Sequence, residues 1–161
     1  PLPPPMPAPR HYWLMKSEPD EASIDDLAAA PQQILPWTGV RNYQARNYMR
    51  DVMRPGDGVL FYHSSCARPG IAGLAEIVGG LAPDPTQLDP ASPYADPASP
   101  PLAPRWLKID VRFVRKTRLL GLPEMRGAPE LATLRVLQRG NRLSITPVTP
   151  QEWDAVLARL G

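Results

Sequence analysis

Tyr12-Trp-Leu-Met-Lys-Ser-Glu-Pro19 and, further along, Trp37-Thr-Gly-Val-Arg-Asn-Tyr-Gln-Ala-Arg-Asn47 carry the reading of this chain. His11 to Lys16 is apolar, aromatic and short, the pattern of a buried strand, and Pro19 ends it. Ser23 followed by Asp26 has the spacing of a capping box, which predicts a short helix through Leu27 to Ala30, stopped by Pro31. From Arg41 to Val52, the apolar residues Ala45, Tyr48, Met49 and Val52 fall at helical spacing on one face, while Tyr43, Arg46, Asn47 and Arg50 point the other way.

Working outward, Asp57 to His63 and Ile71 to Val78 read as two paired strands joined by the loop Ser64 to Gly70. Gly79 to Pro104 contains eight prolines and too little apolar material for core structure, which predicts a long surface loop, either functional or a spacer. Arg105 to Lys116 alternates apolar and polar residues apart from a slip at Lys108 to Ile109, where a bulge is expected. Ala128 to Leu134 reads as a short helix and Arg142 to Ile145 as a short strand. Thr149-Pro-Gln-Glu152 is a second capping box, opening a helix over Pro150 to Leu160 that packs Trp153, Val156, Leu157 and Leu160. Strands and helices are mixed without βαβ alternation, so a compact α+β domain around a curled sheet is expected rather than a parallel doubly wound one.

A chain of 161 residues accommodates one domain, expected over 11–161. Residues 1–10, with six prolines in the first nine, read as a disordered, polyproline-like leader. No apolar run reaches the ~20 residues of a membrane span, and the start lacks the apolar segment of a signal peptide, so the expectation is a cytoplasmic protein, taken as a monomer. The net charge is only +2, but residues 105 to 142 hold ten Lys or Arg against three acids, and residues 76 to 104 carry four acids and no base. Such asymmetry permits a basic face for a polyanion on a nearly neutral protein, because local potential does the attracting; arginines scattered in solvent explain the counts equally well.

The chemistry available is restricted. His63, Ser64, Ser65 and Cys66 suggest a nucleophile beside a base, but no Gly-x-Ser-x-Gly elbow surrounds either serine. One cysteine and two distant histidines offer no metal-ligand spacing, and the acidic loop lacks an EF-hand pattern. Pro55-Gly-Asp-Gly58 is a turn, and Arg139-Gly-Asn-Arg142 lacks the lysine of a phosphate loop. Neither a metal nor another cofactor is expected, and no catalytic residue is assigned. Stacking and hydrogen bonding remain: aromatic faces hold an extruded base with ~1 to 3 kcal/mol each, and a buried methyl adds ~0.8 kcal/mol.

Lys16-Ser17-Glu18-Pro19, Trp37 to Asn42 with Gln44 to Asn47, Phe61-Tyr-His-Ser64, Pro104-Arg-Trp106 and Gly140 to Val148 together resemble the EVE family, PUA-like domains related to YTH domains. The segments occur in the expected order and span almost everything from Tyr12 to Trp153. The resemblance implies a PUA-like, curled, mostly antiparallel β-barrel with short flanking helices, and recognition of a modified base in nucleic acid. In the related YTH domains, the Lys-Ser corner and the following tryptophan line a methylated-base cage. It therefore makes Ser17, Glu18, Trp37 and Thr38 the first pocket candidates.

Asn42 joins the candidates, as do Tyr62, His63 and Ser64 at a strand end, although plain strand-end polarity accounts for those three equally well. Trp106 is a possible second wall or a core residue. Trp37 is a cage wall or a core residue, and its place between Pro36 and a Thr-Gly turn favours the wall. Arg41, Arg46, Arg139, Asn141 and Arg142 are the phosphate-binding candidates, with Arg41 and Asn42 at a helix start, where free amides favour an anion. The expected function is non-catalytic recognition of DNA or RNA carrying a modified base. The competing readings are an enzyme on a nucleobase or nucleotide, with His63 or Glu18 as acid or base, and a protein-interaction module using Pro83 to Pro104.

Overall fold

The computed structural model describes residues 10–161, so the proline-rich leader lies, apart from Arg10, outside the described residues. Among these residues, one sheet contains all six strands: β1 (Tyr12–Ser17), β2 (Ile34–Trp37), β3 (Gly58–His63), β4 (Gly70–Pro83), β5 (Leu107–Gly121) and β6 (Ile145–Val148), in the order β2-β5-β4-β3-β1-β6. Four helices accompany it: α1 (Ile24–Ala29), α2 (Tyr43–Asp51), α3 (Leu122–Arg126) and α4 (Pro150–Leu160). The fold is α+β with a mixed sheet.

β1 and β3 run parallel, with Tyr12 opposite Gly58 and Ser17 opposite His63, while the other pairings are antiparallel. A parallel pair needs a long crossover, and here the chain uses it to build α1, β2 and α2. Among the described residues no pairing joins β2 to β6, so the sheet is open where a barrel was expected. Both outer strands have only four residues and contain a proline, Pro36 or Pro147, that cannot donate to a further ladder.

The strands alternate between two cores. Trp13, Met15, Val59 and Phe61 face one cluster with Ile24 and Leu27 of α1 and Ala45 and Met49 of α2. Leu14, Leu60 and Tyr62 face the other, with Met125 of α3 and Trp153, Val156 and Leu160 of α4. This is why His11 to Lys16 reads as a continuous apolar run: a strand covered on both faces has no polar side.

Both capping boxes form. Ser23 Oγ accepts from Asp26 N at 3.1 Å while Ser23 N donates to Asp26 Oδ2, and Thr149 with Glu152 repeats the arrangement. The bulge expected at Lys108 lies instead on the facing strand. Gly79 opposes Asp110 and Ala82 opposes Lys108, so the extra residue belongs to β4, where Gly79 and Gly80 adopt positive φ. The expected strand at Arg142 to Ile145 forms three residues later, and the region expected as one helix over 128–134 holds a single 3-10 turn, Pro129–Leu131.

The expected surface loop is knitted to the body by polar groups rather than apolar ones. β4 extends to Pro83, and beyond it Asp84, Gln87 and Ser99 are buried. Gln87 Nε2 donates to the carbonyls of Asp84 and Trp106, and its Oε1 accepts from Ser99 Oγ and Trp106 N, so one amide satisfies four partners. A reading based on apolar content cannot see such a core.

Candidate functional site

Because β1 and β3 are parallel, their C-terminal ends emerge side by side, and Ser64 N donates to Ser17 O at 3.0 Å just beyond the last pair. On the other side of β1, Lys16 N donates to Ser144 O at 2.8 Å, which brings the segment before β6 to the same place. β2 ends nearby with Trp37. The result is a cavity of about 340 Å³ at this corner of the sheet, within the range of small-molecule sites.

Trp37 and Tyr94 supply its aromatic surface, Lys16 and Arg142 its cations, and Glu18, Thr38, Ser64, Ser65 and Ser144 its remaining polar groups. Trp37 is at once wall and core: it is 9% exposed, and its ring meets Phe61 edge-on with centroids 5.4 Å apart. Burial lowers the pKa of Lys16, and no carboxylate pairs with it among the described residues. Beside this cavity is a smaller one of about 90 Å³, which shares Lys16, Trp37 and Thr38 and is otherwise largely apolar, lined by Leu27, Leu35, Phe61 and Val111.

Tyr94 reaches the site from the proline-rich loop, and its position is set from several directions. Its hydroxyl donates to Glu21, 2.6 Å from Oε1, while Arg41 holds its carbonyl with Nε at 3.0 Å and Nη2 at 2.7 Å. Burial and then the Glu21 carboxylate push the phenol up to about 12, so it remains a neutral donor at physiological pH. Gly39 faces the ring: it adopts φ +80°, and a Cβ there would lie 3.0 Å from the Tyr94 ring. Gly39 N donates to Asp84 Oδ2 at 2.8 Å, which ties the turn after Trp37 to the loop bearing Tyr94.

Glu18, Trp37, Thr38, Ser64 and Arg142 of the sequence candidates therefore come together. Ser17 lies just behind, lining the smaller cavity, with Oγ donating to Ala22 O at 2.6 Å. The others are placed elsewhere. Asn42 caps α2, its Oδ1 accepting from Gln44 N and Ala45 N. Tyr62 points into the core on the opposite sheet face, where burial raises its pKa.

His63 Nε2 accepts from Ile24 N at 3.1 Å, which anchors the start of α1, and burial lowers its pKa. Trp106 is 5% exposed and serves the loop: its Nε1 donates to Asp96 at 2.7 Å and its ring lies 4.8 Å from that of Tyr43. Arg41 is engaged with Asp84, Thr86 and the Tyr94 carbonyl, and Arg46 with Asn47 and the Arg105 carbonyl. Asn141 braces its own turn through Arg135 O and Leu143 N. Arg139 and Arg142 are exposed and form no ion pair among the described residues.

Sequence reasoning missed Lys16, Gly39, Val40, Ser65, Tyr94 and Ser144 as lining residues. Two left a signal: Lys16 belongs to the same corner as Ser17 and Glu18, and Tyr94 is the single aromatic residue between Gly79 and Pro104.

The fold is thus an α+β domain with an open six-stranded sheet and an aromatic, cation-edged cavity where two parallel strands end. The chain belongs to the EVE domain family, which residues 11–159 match. Human thymocyte nuclear protein 1 is 43% identical across 91% of this chain and 72% of its own. A solved protein from Pseudomonas syringae superposes with a TM-score of 0.88 at 48% identity, covering 93% of this chain and 99% of that one. Human THYN1 in complex with DNA containing 5-methylcytosine superposes at 0.85 with 43% identity, over 92% and 96%. An ASCH protein from Zymomonas mobilis, at 8% identity and a TM-score of 0.54, shares the fold alone.

Proposed function

We propose that this protein recognises a modified base in DNA, with 5-methylcytosine as the leading candidate, by holding the extruded base in the 340 Å³ cavity. The observation that carries this reading is the convergence of Trp37, Tyr94, Lys16 and Arg142 on one cavity in a chain so similar to human THYN1, which was crystallised with 5-methylcytosine DNA. The aromatic surfaces stack on the base, the serines and Thr38 meet its polar edge, and the cations lie where the sugar-phosphate enters.

Binding is proposed to be the whole activity. His63, the nearest candidate base, already accepts a backbone amide, and no side-chain hydrogen bond links a serine of the cavity to a histidine or carboxylate among the described residues. The interaction-module reading fares less well, because the loop it needs is packed through Gln87 and Asp84 and delivers Tyr94 to the cavity.

Matched DNA oligonucleotides carrying either cytosine or 5-methylcytosine at one position test the reading by titration, with mass spectrometry of the recovered base. The expected outcome is tighter binding of the methylated strand and an unaltered base. Equal affinities for the two strands, or a converted base, would refute it.

A further inference from the structure

The 18 Lys and Arg residues divide sharply by whether they have a protein partner. The cations along β5 are committed: Arg112 pairs with Glu76, Lys116 with Asp25, Arg118 with Glu124, and Arg115 donates to the carbonyl of Gly161. Arg41 and Arg50 are paired with Asp84 and Asp51, Arg159 with Glu124 and Glu130, and Lys108 with Asp110. Arg10, Arg46 and Arg54 donate to main-chain carbonyls, and Arg105 lies 3.9 Å from Asp96. Among the described residues, the cations left without a hydrogen bond or ion pair are Lys16, Arg68, Arg126, Arg135, Arg139 and Arg142.

Four of these cations line two cavities joined by the β3–β4 loop. Lys16 and Arg142 line the cavity together with Ser65, the second residue of the β3–β4 loop. That same loop carries Arg68, which lines a concavity of about 440 Å³ with Arg126 of α3. Arg126 is close enough to Tyr62 at the end of β3 to lower its pKa against the effect of burial. α3 packs on the Arg135–Leu137 turn, which packs on β6, the strand that follows Arg142 in the chain. The acid in the concavity, Glu124, is held at about 2 by Arg118 and Arg159, so its charge is already answered.

We infer that the strand flanking the bound base runs from the Lys16–Arg142 lip along the Ser64–Pro69 loop, with its phosphates on Arg68 and Arg126. The inference rests on the pocket reading and deepens it. An unpaired guanidinium surrenders no protein contact on binding a phosphate, whereas the paired ones on β5 must first break an ion pair. The chain's most basic stretch, Arg112 to Arg118, is therefore the wrong place for the strand.

The test measures the salt dependence of oligonucleotide binding for the full chain and for Arg68→Ala, Arg126→Ala and the control Arg112→Ala, alongside binding of free 5-methyldeoxycytidine. Each phosphate contact contributes about 0.7 to 0.9 to the slope of log affinity against log salt, so Arg68→Ala and Arg126→Ala are each expected to reduce its magnitude by that amount. Arg112→Ala is expected to leave the slope alone, and all three variants to bind the free nucleoside like the parent. Unchanged slopes in Arg68→Ala and Arg126→Ala, with preference for the methylated strand intact, overturn the track and spare the pocket. Reduced slopes without any preference for the methylated strand support the track and overturn the pocket. A parent chain that binds no oligonucleotide overturns both.

Discussion

Trp37 shows how one side chain serves two demands. It closes the cavity with one part of its surface and fills the core against Phe61 with another, so binding and stability cannot be separated by deleting it. Trp37→Ala is expected to cost ~3 to 5 kcal/mol in chemical denaturation and to abolish base binding, while Trp37→Phe retains the fold. Tyr94 is the cleaner probe because it is only partly buried. Tyr94→Ala is expected to weaken binding of the methylated oligonucleotide by ~1 to 3 kcal/mol. Tyr94→Phe keeps the ring and removes only the bond to Glu21, so titration should find nearly parental affinity; an equal loss in both variants would mean that the hydroxyl, not the face, matters.

At the scale of elements, the segment between β4 and β5 depends on one buried carboxylate. Asp84 accepts from Gly39 N, Arg41, Thr86 N and Thr86 Oγ1, and so binds the turn after Trp37 to the loop that presents Tyr94. Burial pushes its pKa upward, but the hydrogen bonds from Thr86, Gly39 and Arg41 outweigh it and hold the group below its ordinary value of 3.8. The stabilisation is complete above that value and disappears as pH falls through the lower folded pKa. Acid denaturation monitored by tryptophan fluorescence should therefore show a component below about pH 3.8 that is absent in Asp84→Asn. The same variant should lose about 3 to 5 kcal/mol at neutral pH, because it leaves Arg41 without its counter-charge.

How much was legible in the sequence divides along the same line. Ser23 with Asp26 and Thr149 with Glu152 announced their helices because a capping box is a local contract between residues three apart. Ala45 and Met49 revealed the buried face of α2 by spacing alone. Arg41 and Asn42 were misplaced because a polar residue before a helix looks the same whether it binds a ligand, caps the helix or pairs with a carboxylate forty-three positions away. Tyr94 escaped because its contacts are with Glu21 and Arg41, which lie far from it in the sequence and leave no local pattern around it.

For the molecule as a whole, the sheet separates the cavity from the core that α3 and α4 cover. The cavity adjoins the face covered by α1 and α2, and Trp153 of α4 lies in the opposite core, stacked on Tyr12 with centroids 4.4 Å apart. Trp153→Ala is expected to lower stability by ~3 to 5 kcal/mol without changing the affinity of the folded fraction, as paired denaturation and titration would show. A parallel loss of affinity at temperatures where the variant remains folded would mean that the two faces are coupled through β1.

The insertion of β1 between β3 and β6 also fixes when the site comes into being. Lys16 leaves the ribosome well before the groups opposite it, Arg142 and Ser144, and the hydrogen bond from Lys16 to Ser144 joins them. Such high sequence separation slows the closing step, since loop-closure entropy is spent before any contact repays it. A chain cut in the turns between Gly127 and Gly140 yields two pieces, neither of which contains a complete cavity. Fused to a split fluorescent reporter, the pair would signal only on reassembly, which under the proposed function makes it a two-part detector of DNA methylation.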